Sequence, residues 1–182
     1  MKDKIASIAK ELLPYIIIVI VVFGIKTYIA TPVLVDGSSM LPTLSDKQFL
    51  ILNRSTKKLN RNDIVVFDHD NSKLIKRIIA LPGETIEYKD GVLYINDEVV
   101  NEDFISNEVR ELTGRIYKKT LGENEYYVMG DNRGGSSDSR DFGAITKSEI
   151  RGRGLLRFMI CTKKDENNEC SKRKFVWPSS VK

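Results

Sequence analysis

Thr85-Ile-Glu-Tyr-Lys-Asp-Gly-Val-Leu-Tyr-Ile95 is the stretch whose reading decides the fold class. Two short runs rich in Ile, Val and Tyr flank Asp90-Gly91, a dipeptide that strongly favours a two-residue hairpin turn. Working outward, runs of the same kind recur at Phe49–Leu52, Ile64–Phe67, Leu74–Leu81, Tyr126–Met129 and Gly152–Phe158, separated by turn residues. This pattern predicts one mainly β, chiefly antiparallel domain over residues 31–182, since no internal repeat or linker divides it. Asn101–Glu125 is polar and irregular and is expected to be a surface excursion.

The N-terminal end has different chemistry. Leu12–Ala30 reads LLPYIIIVIVVFGIKTYIA, and as a helix rising ~1.5 Å per residue it would be about 28 Å long, enough to cross a bilayer. Pro14 falls near the start, where a missing N–H costs least, and Lys26 can snorkel to the headgroups. The competing reading is a cleavable secretory signal. Bulky Tyr28 three residues before a cut at Ala30, and Pro32 just beyond it, argue against cleavage. Lys2, Lys4 and Lys10 outnumber Asp3 and Glu11, which favours a cytoplasmic 1–11. The expected organisation is therefore an uncleaved single-pass anchor over 12–30 in the cell membrane, with an extracytoplasmic domain at 31–182.

Over 182 residues, 29 Lys+Arg stand against 25 Asp+Glu, too weak a bias to argue for nucleic acid. With one histidine, His69, and two cysteines, the usual ligands for a zinc or iron–sulfur centre cannot be assembled, so no metal is expected. Cys161 and Cys170 bracket the charged loop TKKDENNE. In an oxidising compartment they can close a disulfide-stapled hairpin; the alternative is two unrelated thiols.

Three segments carry residues capable of chemistry. Gly37-Ser38-Ser39-Met40-Leu41-Pro42-Thr43-Leu44 sets two hydroxyls in a tight turn, suited to a serine nucleophile or simply to a surface turn. It is not a G-x-S-x-G elbow, because position 41 is Leu. Leu74-Ile75-Lys76-Arg77-Ile78-Ile79-Ala80-Leu81 is an apolar strand with two adjacent cations. Alternation puts Lys76 on one face with Leu74 and Ile78, and Arg77 on the other with Ile75 and Ile79. An inward Lys76 would be desolvated and its pKa lowered, as a lysine general base requires. An exposed edge strand with both stems snorkelling is the alternative. The third segment, Gly130-Asp131-Asn132-Arg133-Gly134-Gly135-Ser136-Ser137-Asp138-Ser139-Arg140, suits a loop that hydrogen-bonds its own backbone and could orient a catalytic pair. His69, within Asp68–Ser72, is a rival base but is expected in a hairpin loop.

With these segments quoted, the chain resembles type I signal peptidases, membrane-anchored serine proteases with a Ser–Lys dyad. The match runs from the anchor through GSSMLPTL, NDIVVF (62–67), KRIIALPGE (76–84) and GDNRGGSSDSR (130–140), in the family's order. It implies Ser39, immediately before Met40, as nucleophile and Lys76 as general base. It further implies that Ser136 orients the lysine and that Asp138 and Arg140 brace the site, Asp138 pairing with Arg77. Gly37 stands where some members carry a serine that contributes to the oxyanion hole, so a backbone N–H must substitute. Asn62 replaces the usual glycine, a departure that a turn tolerates. Pockets for small substrate residues map to Val35, Asp36, Met40, Leu44, Leu74 and Ile75. The resemblance thus implies a signal-peptidase-like β protease domain behind one transmembrane helix. It would remove signal peptides from exported preproteins after Ala-x-Ala sequences, with no metal or organic cofactor and with preproteins and the lipid bilayer as partners. A membrane-anchored assembly factor for surface-fibre (pilin) subunits is the rival from another class. A self-cleaving Ser–Lys protease of the LexA type is the rival among enzymes.

Overall fold

The computed structural model describes the backbone of residues 2–28, 30–164 and 170–180, and the side chains of residues 10–22, 24, 31–157, 174 and 180. Helix α1 (Lys2–Tyr28) contains Pro14 and is followed by strand β1 (Ala30–Leu34). The helix stops two residues short of the expected Ala30 because that residue already opens a strand and Pro32 stands two residues on. Every described apolar side chain of α1 from Leu12 to Val22 is at least half exposed. Among the described residues no helix is long and apolar enough to cross a membrane, and the expected span 12–30 runs beyond the side chains described.

The rest is β-rich. After β1 come β2 (Phe49–Asn53), β3 (Ile64–His69), β4 (Ser72–Ala80), β5 (Thr85–Lys89), β6 (Val92–Ile95), β7 (Glu98–Val100), helix α2 (Asn107–Glu111) and β8 (Ile116–Thr120). They are followed by β9 (Glu125–Met129), helix α3 (Ser139–Phe142), β10 (Ile145–Thr146), β11 (Ile150–Lys164) and β12 (Cys170–Ser180). The larger sheet runs β1-β2-β11-β3-β4-β9-β10, with β12 paired to β11, and the smaller runs β7-β6-β5-β8. The β5–β6 hairpin forms as expected, with Asp90 at φ 53° and Gly91 at φ 75°. The β3–β4 and β6–β7 turns use the same left-handed pair without glycine, at Asp70-Asn71 and Asn96-Asp97. Asn62 is also left-handed, at φ 69°, a conformation Asn tolerates better than most residues.

One expectation needs correction. Asn101–Glu125 is not merely a surface excursion: it supplies α2, β8 and the buried residues Glu102, Ile105, Thr113, Ile116 and Leu121. For Leu74–Leu81 the edge-strand alternative is the one that falls, because β4 lies between β3 and β9. Its faces are covered by two different clusters. Ile78 packs with Val65, Phe67 and Val128, while Ile79 packs with Ile86, Tyr88 and Met129 from the smaller sheet and β9. Strands β11 and β12 do pair antiparallel, with Cys161 opposite Arg173 and Cys170 opposite Lys164; the side chains of Cys161 and Cys170, and with them the bridge, lie outside the described residues.

Alternation on a strand covered on both faces leaves Lys76 and Arg77 only 3% and 0% exposed. Arg77 is compensated by Asp131, whose two carboxylate oxygens accept from Nε at 2.8 Å and a terminal nitrogen at 2.6 Å. The Asn62 carbonyl and Thr43 hydroxyl each accept from one of its terminal nitrogens, and Phe104 stacks 4.0 Å from the guanidinium. Removing one partner of a fully buried pair strands a charge, which costs about 3–5 kcal/mol. Asp131→Asn is therefore expected to lower stability by that amount in thermal unfolding of the detergent-solubilised chain. Asp97→Asn, which breaks an exposed pair with Lys118, should leave the midpoint in place.

Candidate active site

The turn after β1 begins with Gly37 at φ 95°, a conformation that favours glycine. Its N–H donates to Asp46 Oδ1 at 2.8 Å. Ser38 is exposed, whereas Ser39 is partly buried above the cluster of Val35, Met40, Leu44, Leu50 and Ile64. From β4, Lys76 Nζ donates to Ser39 Oγ at 2.7 Å, joining residues 37 positions apart. Burial disfavours the ammonium of Lys76 and pushes its pKa below the ordinary lysine value; Asp138 and Asp131 pull it back up, and Arg140 pushes it down, without reversing the direction.

Asp138 organises the far side. Its carboxylate accepts from the Gly130 N–H at 2.9 Å, from Ser136 Oγ at 2.9 Å and from Arg140 Nε at 2.8 Å, and it caps α3. Burial alone would raise this carboxyl, but the donors from Arg140, Gly130 and Ser136 outweigh it and hold the pKa below the usual carboxylate range. The expected Asp138–Arg77 pair is therefore incorrect. Arg77 sits opposite Met129 in the ladder, so the carboxylate that reaches it is Asp131, two residues further on, while Asp138 is already engaged with Arg140. Ser136, expected to orient Lys76, donates its hydroxyl to Asp138 instead. Among the described residues, Ser39 Oγ is the hydrogen-bond partner of Lys76 Nζ. Gly130 separates these groups: a Cβ there would stand 2.2 Å from Ser136 Oγ and 2.5 Å from the Ser39 carbonyl oxygen.

A cavity of about 290 Å³ opens beside Ser39 and Lys76. Val35, Asp36, Met40, Leu74 and Ile75 line it together with Val33, Leu34 and Val66, which the sequence reading did not select. Leu44 does not line it; it is fully buried in the cluster beneath the turn. His69 stacks on Phe142 with ring centroids 4.1 Å apart and lies four residues along β3 from the one paired with Lys76, about 13 Å away at ~3.3 Å per residue. Among the described residues, no three His, Cys, Asp or Glu side chains converge as metal ligands.

Sequence reading missed Asp131, Asn132, Arg133 and Glu102 as parts of this architecture. Arg133 is fully buried against Glu102, and its Nε donates to the Gly130 carbonyl at 3.1 Å. Glu102 and Arg133 lie 31 positions apart, so no local pattern links them. Asp131 and Asn132 stand inside a motif that was quoted, yet the partner of Asp131 follows only from the register of β4 against β9, and those of Asn132 lie in the distant turn at Ser38 and Ser39.

The family model described as "Signal peptidase, peptidase S26" matches residues 8–159. Signal peptidase I S of Bacillus subtilis (strain 168) is 38% identical over 174 residues, covering 87% of this chain and 95% of that protein. Signal peptidase IB of Staphylococcus aureus (strain N315) is 33% identical over 172 residues, covering 82% of this chain and 90% of that protein. A solved signal peptidase I from Enterococcus faecalis V583 is 36% identical with a TM-score of 0.50, covering 54% of this chain and 98% of that one.

The lowered pKa of Lys76 has a thermodynamic sign. Between that lowered value and the ordinary 10.5, the unfolded chain binds more protons than the folded one, so stability rises with pH across this window. The cost of burying the ammonium is fully present below the window and vanishes above it. Lys76→Met is thus expected to unfold at a higher temperature than the parent at pH 6, with the advantage shrinking as pH approaches 10. Midpoints measured across that range check the expectation; a pH-independent difference would contradict it.

Proposed function

This chain belongs to the signal peptidase family, peptidase S26, and from that premise we propose that it cuts signal peptides from exported preproteins with Ser39 as nucleophile and Lys76 as general base. One observation carries the reading: a nearly buried amine with a lowered pKa stands 2.7 Å from a serine hydroxyl beside an open cavity. Deprotonated, Lys76 accepts the Ser39 proton while Oγ bonds to the scissile carbonyl carbon, forming a tetrahedral oxyanion. Collapse expels the amine of the mature protein, which takes the proton from Lys76, and leaves an acyl-enzyme. Water then attacks the ester with Lys76 again as base, releasing the signal peptide's new carboxyl end and restoring Ser39. Backbone N–H groups near Ser39 stabilise the oxyanion. The Gly37 N–H is not among them, since Asp46 holds it.

The cavity supports small-residue specificity. Its apolar wall of Val33, Val35, Met40, Leu74 and Ile75 leaves about 290 Å³ to be shared by the substrate side chains that enter, which suits Ala-x-Ala. The apolar, exposed stretch of α1 is read as a membrane anchor that keeps the site close to the bilayer, where signal peptides emerge. The preceding residues face the cytoplasm and the β domain lies outside. The fibre-assembly alternative has no observation in its favour.

Purified variants assayed on a preprotein test the dyad. Ser39→Ala is expected to abolish cleavage, whereas Ser38→Ala and His69→Ala retain most of it. Lys76→Arg should be inactive because guanidinium does not release its proton, and the parent rate should climb as pH rises through the lowered lysine pKa. An active Lys76→Arg enzyme would remove the base role from this residue.

Specificity has its own readout. Replacing the last Ala before the cleavage point by Phe is expected to lower kcat/KM at least about 100-fold, equivalent to ~2.7 kcal/mol of transition-state binding. Efficient cleavage after Phe would refute the small-pocket reading.

A further inference from the structure

The backbone around Ser39 is held from one side by a residue with no role in the mechanism above. Asn132 donates from its side-chain Nδ2 to the Ser38 carbonyl at 3.2 Å and from its backbone N–H to the Ser39 carbonyl at 3.0 Å. The Leu41 N–H also donates to Ser38, at 3.1 Å. In a planar trans peptide the carbonyl and the N–H of the next residue point in opposite directions, and the cis bond among the described residues is Leu41–Pro42. Holding the Ser38 carbonyl therefore aims the Ser39 N–H away from Asn132, and holding the Ser39 carbonyl does the same for the Met40 N–H.

Among the described residues of this turn, the N–H groups of Ser38, Ser39 and Met40 have no acceptor, and the clamp sets the direction of the last two. The Gly37 N–H is taken by Asp46 and the Leu41 N–H by Ser38. Asn132 itself has little freedom. Its neighbour Asp131 grips buried Arg77, and its other neighbour Arg133 is buried against Glu102. Its carbonyl accepts from the Gly135 N–H at 3.0 Å, and its side chain lies so close to Gly135 that a Cβ there would be 2.7 Å from Nδ2.

We propose that Asn132 is the positioning residue of the oxyanion hole: by clamping the Ser38 and Ser39 carbonyls it fixes the direction of the N–H donors that stabilise the tetrahedral intermediate. This rests on the Ser39–Lys76 reading. The role is invisible until the intermediate forms, so its signature is a loss in kcat with substrate binding and the lysine titration left alone.

The test uses the full chain in detergent with a preprotein substrate. Asn132→Ala keeps the backbone donor and removes the side-chain one; it should lower kcat about 10- to 100-fold, somewhat less than loss of an oxyanion donor itself. KM should stay within about threefold and the rising limb of the pH profile should not move. Asn132→Asp keeps the size that packs on Gly135 but turns an acceptor toward the Ser38 carbonyl, so its kcat should fall further. A kcat for Asn132→Ala within threefold of the parent, a loss expressed in KM, a displaced pH limb, or unfolding of both variants would each overturn the proposal. Ser39→Ala in the same assay separates the two readings. If it cuts like the parent, the dyad fails and the positioning role with it; if it is dead while Asn132→Ala matches the parent, only the positioning role fails.

Discussion

The ion pair between Arg77 and Asp131 is the contact on which the rest of the site depends. Both side chains are fully excluded from solvent, and each is the chain neighbour of a residue that touches the Ser39 turn. Lys76 precedes Arg77 and reaches the Ser39 hydroxyl; Asn132 follows Asp131 and reaches the Ser38 and Ser39 carbonyls. One two-pronged contact thus brings a strand, a loop and a turn from three regions of the chain into a single register. A carboxylate–guanidinium fork restricts rotation as well as distance, which a pair of apolar side chains in the same space could not do.

The same charges explain how an amine stays poised to lose its proton. Arg77, Arg133 and Arg140 lie near or beneath the site, and each has its own carboxylate: Arg77 with Asp131, Arg133 with Glu102, Arg140 with Asp138. Lys76 is left with a hydroxyl. Had Asp138 or Asp131 been free to bond it, the ammonium would have been stabilised and the downward shift of its pKa lost. Arg140 does double duty here, since it occupies Asp138 and adds a positive charge that further disfavours a second one at Lys76.

Much of this could be read from local pattern, and the remainder failed for identifiable reasons. Strands such as Val92–Ile95 were legible because composition and turn chemistry agree. The Asp70-Asn71 and Asn96-Asp97 turns were less so, because neither contains the glycine that makes Asp90-Gly91 conspicuous. Ala30–Leu34 was not singled out as a strand, because Ala30 closes the apolar run 12–30 and the rest is short and contains Pro32; its strand character comes from pairing with β2, which no window of sequence contains. In the site, Lys76 facing inward required only alternation and the knowledge that β4 is central. The partner of Arg77 required the offset of β4 against β9, and without it Asp138 was as good a choice as Asp131. Leu44 has a side chain suited to a pocket wall, but it is buried in one cluster with Met40 and Val35, and of the three it is those two that also line the cavity.

Strand β11, from the last part of the chain, inserts between β2 and β3. The sheet that carries Lys76 is consequently open in the middle until residues beyond Ile150 have arrived, with Ser39, in the turn between β1 and β2, on one flank and Lys76, on β4 beside β3, on the other. Pairings this distant along the chain form late, because loop closure must precede the contacts that reward it. A nascent chain that ends before Ile150 holds both Ser39 and Lys76 yet lacks the strand that joins their two flanks. The contact between Ser39 and Lys76 is thus assembled as the sheet closes around β11.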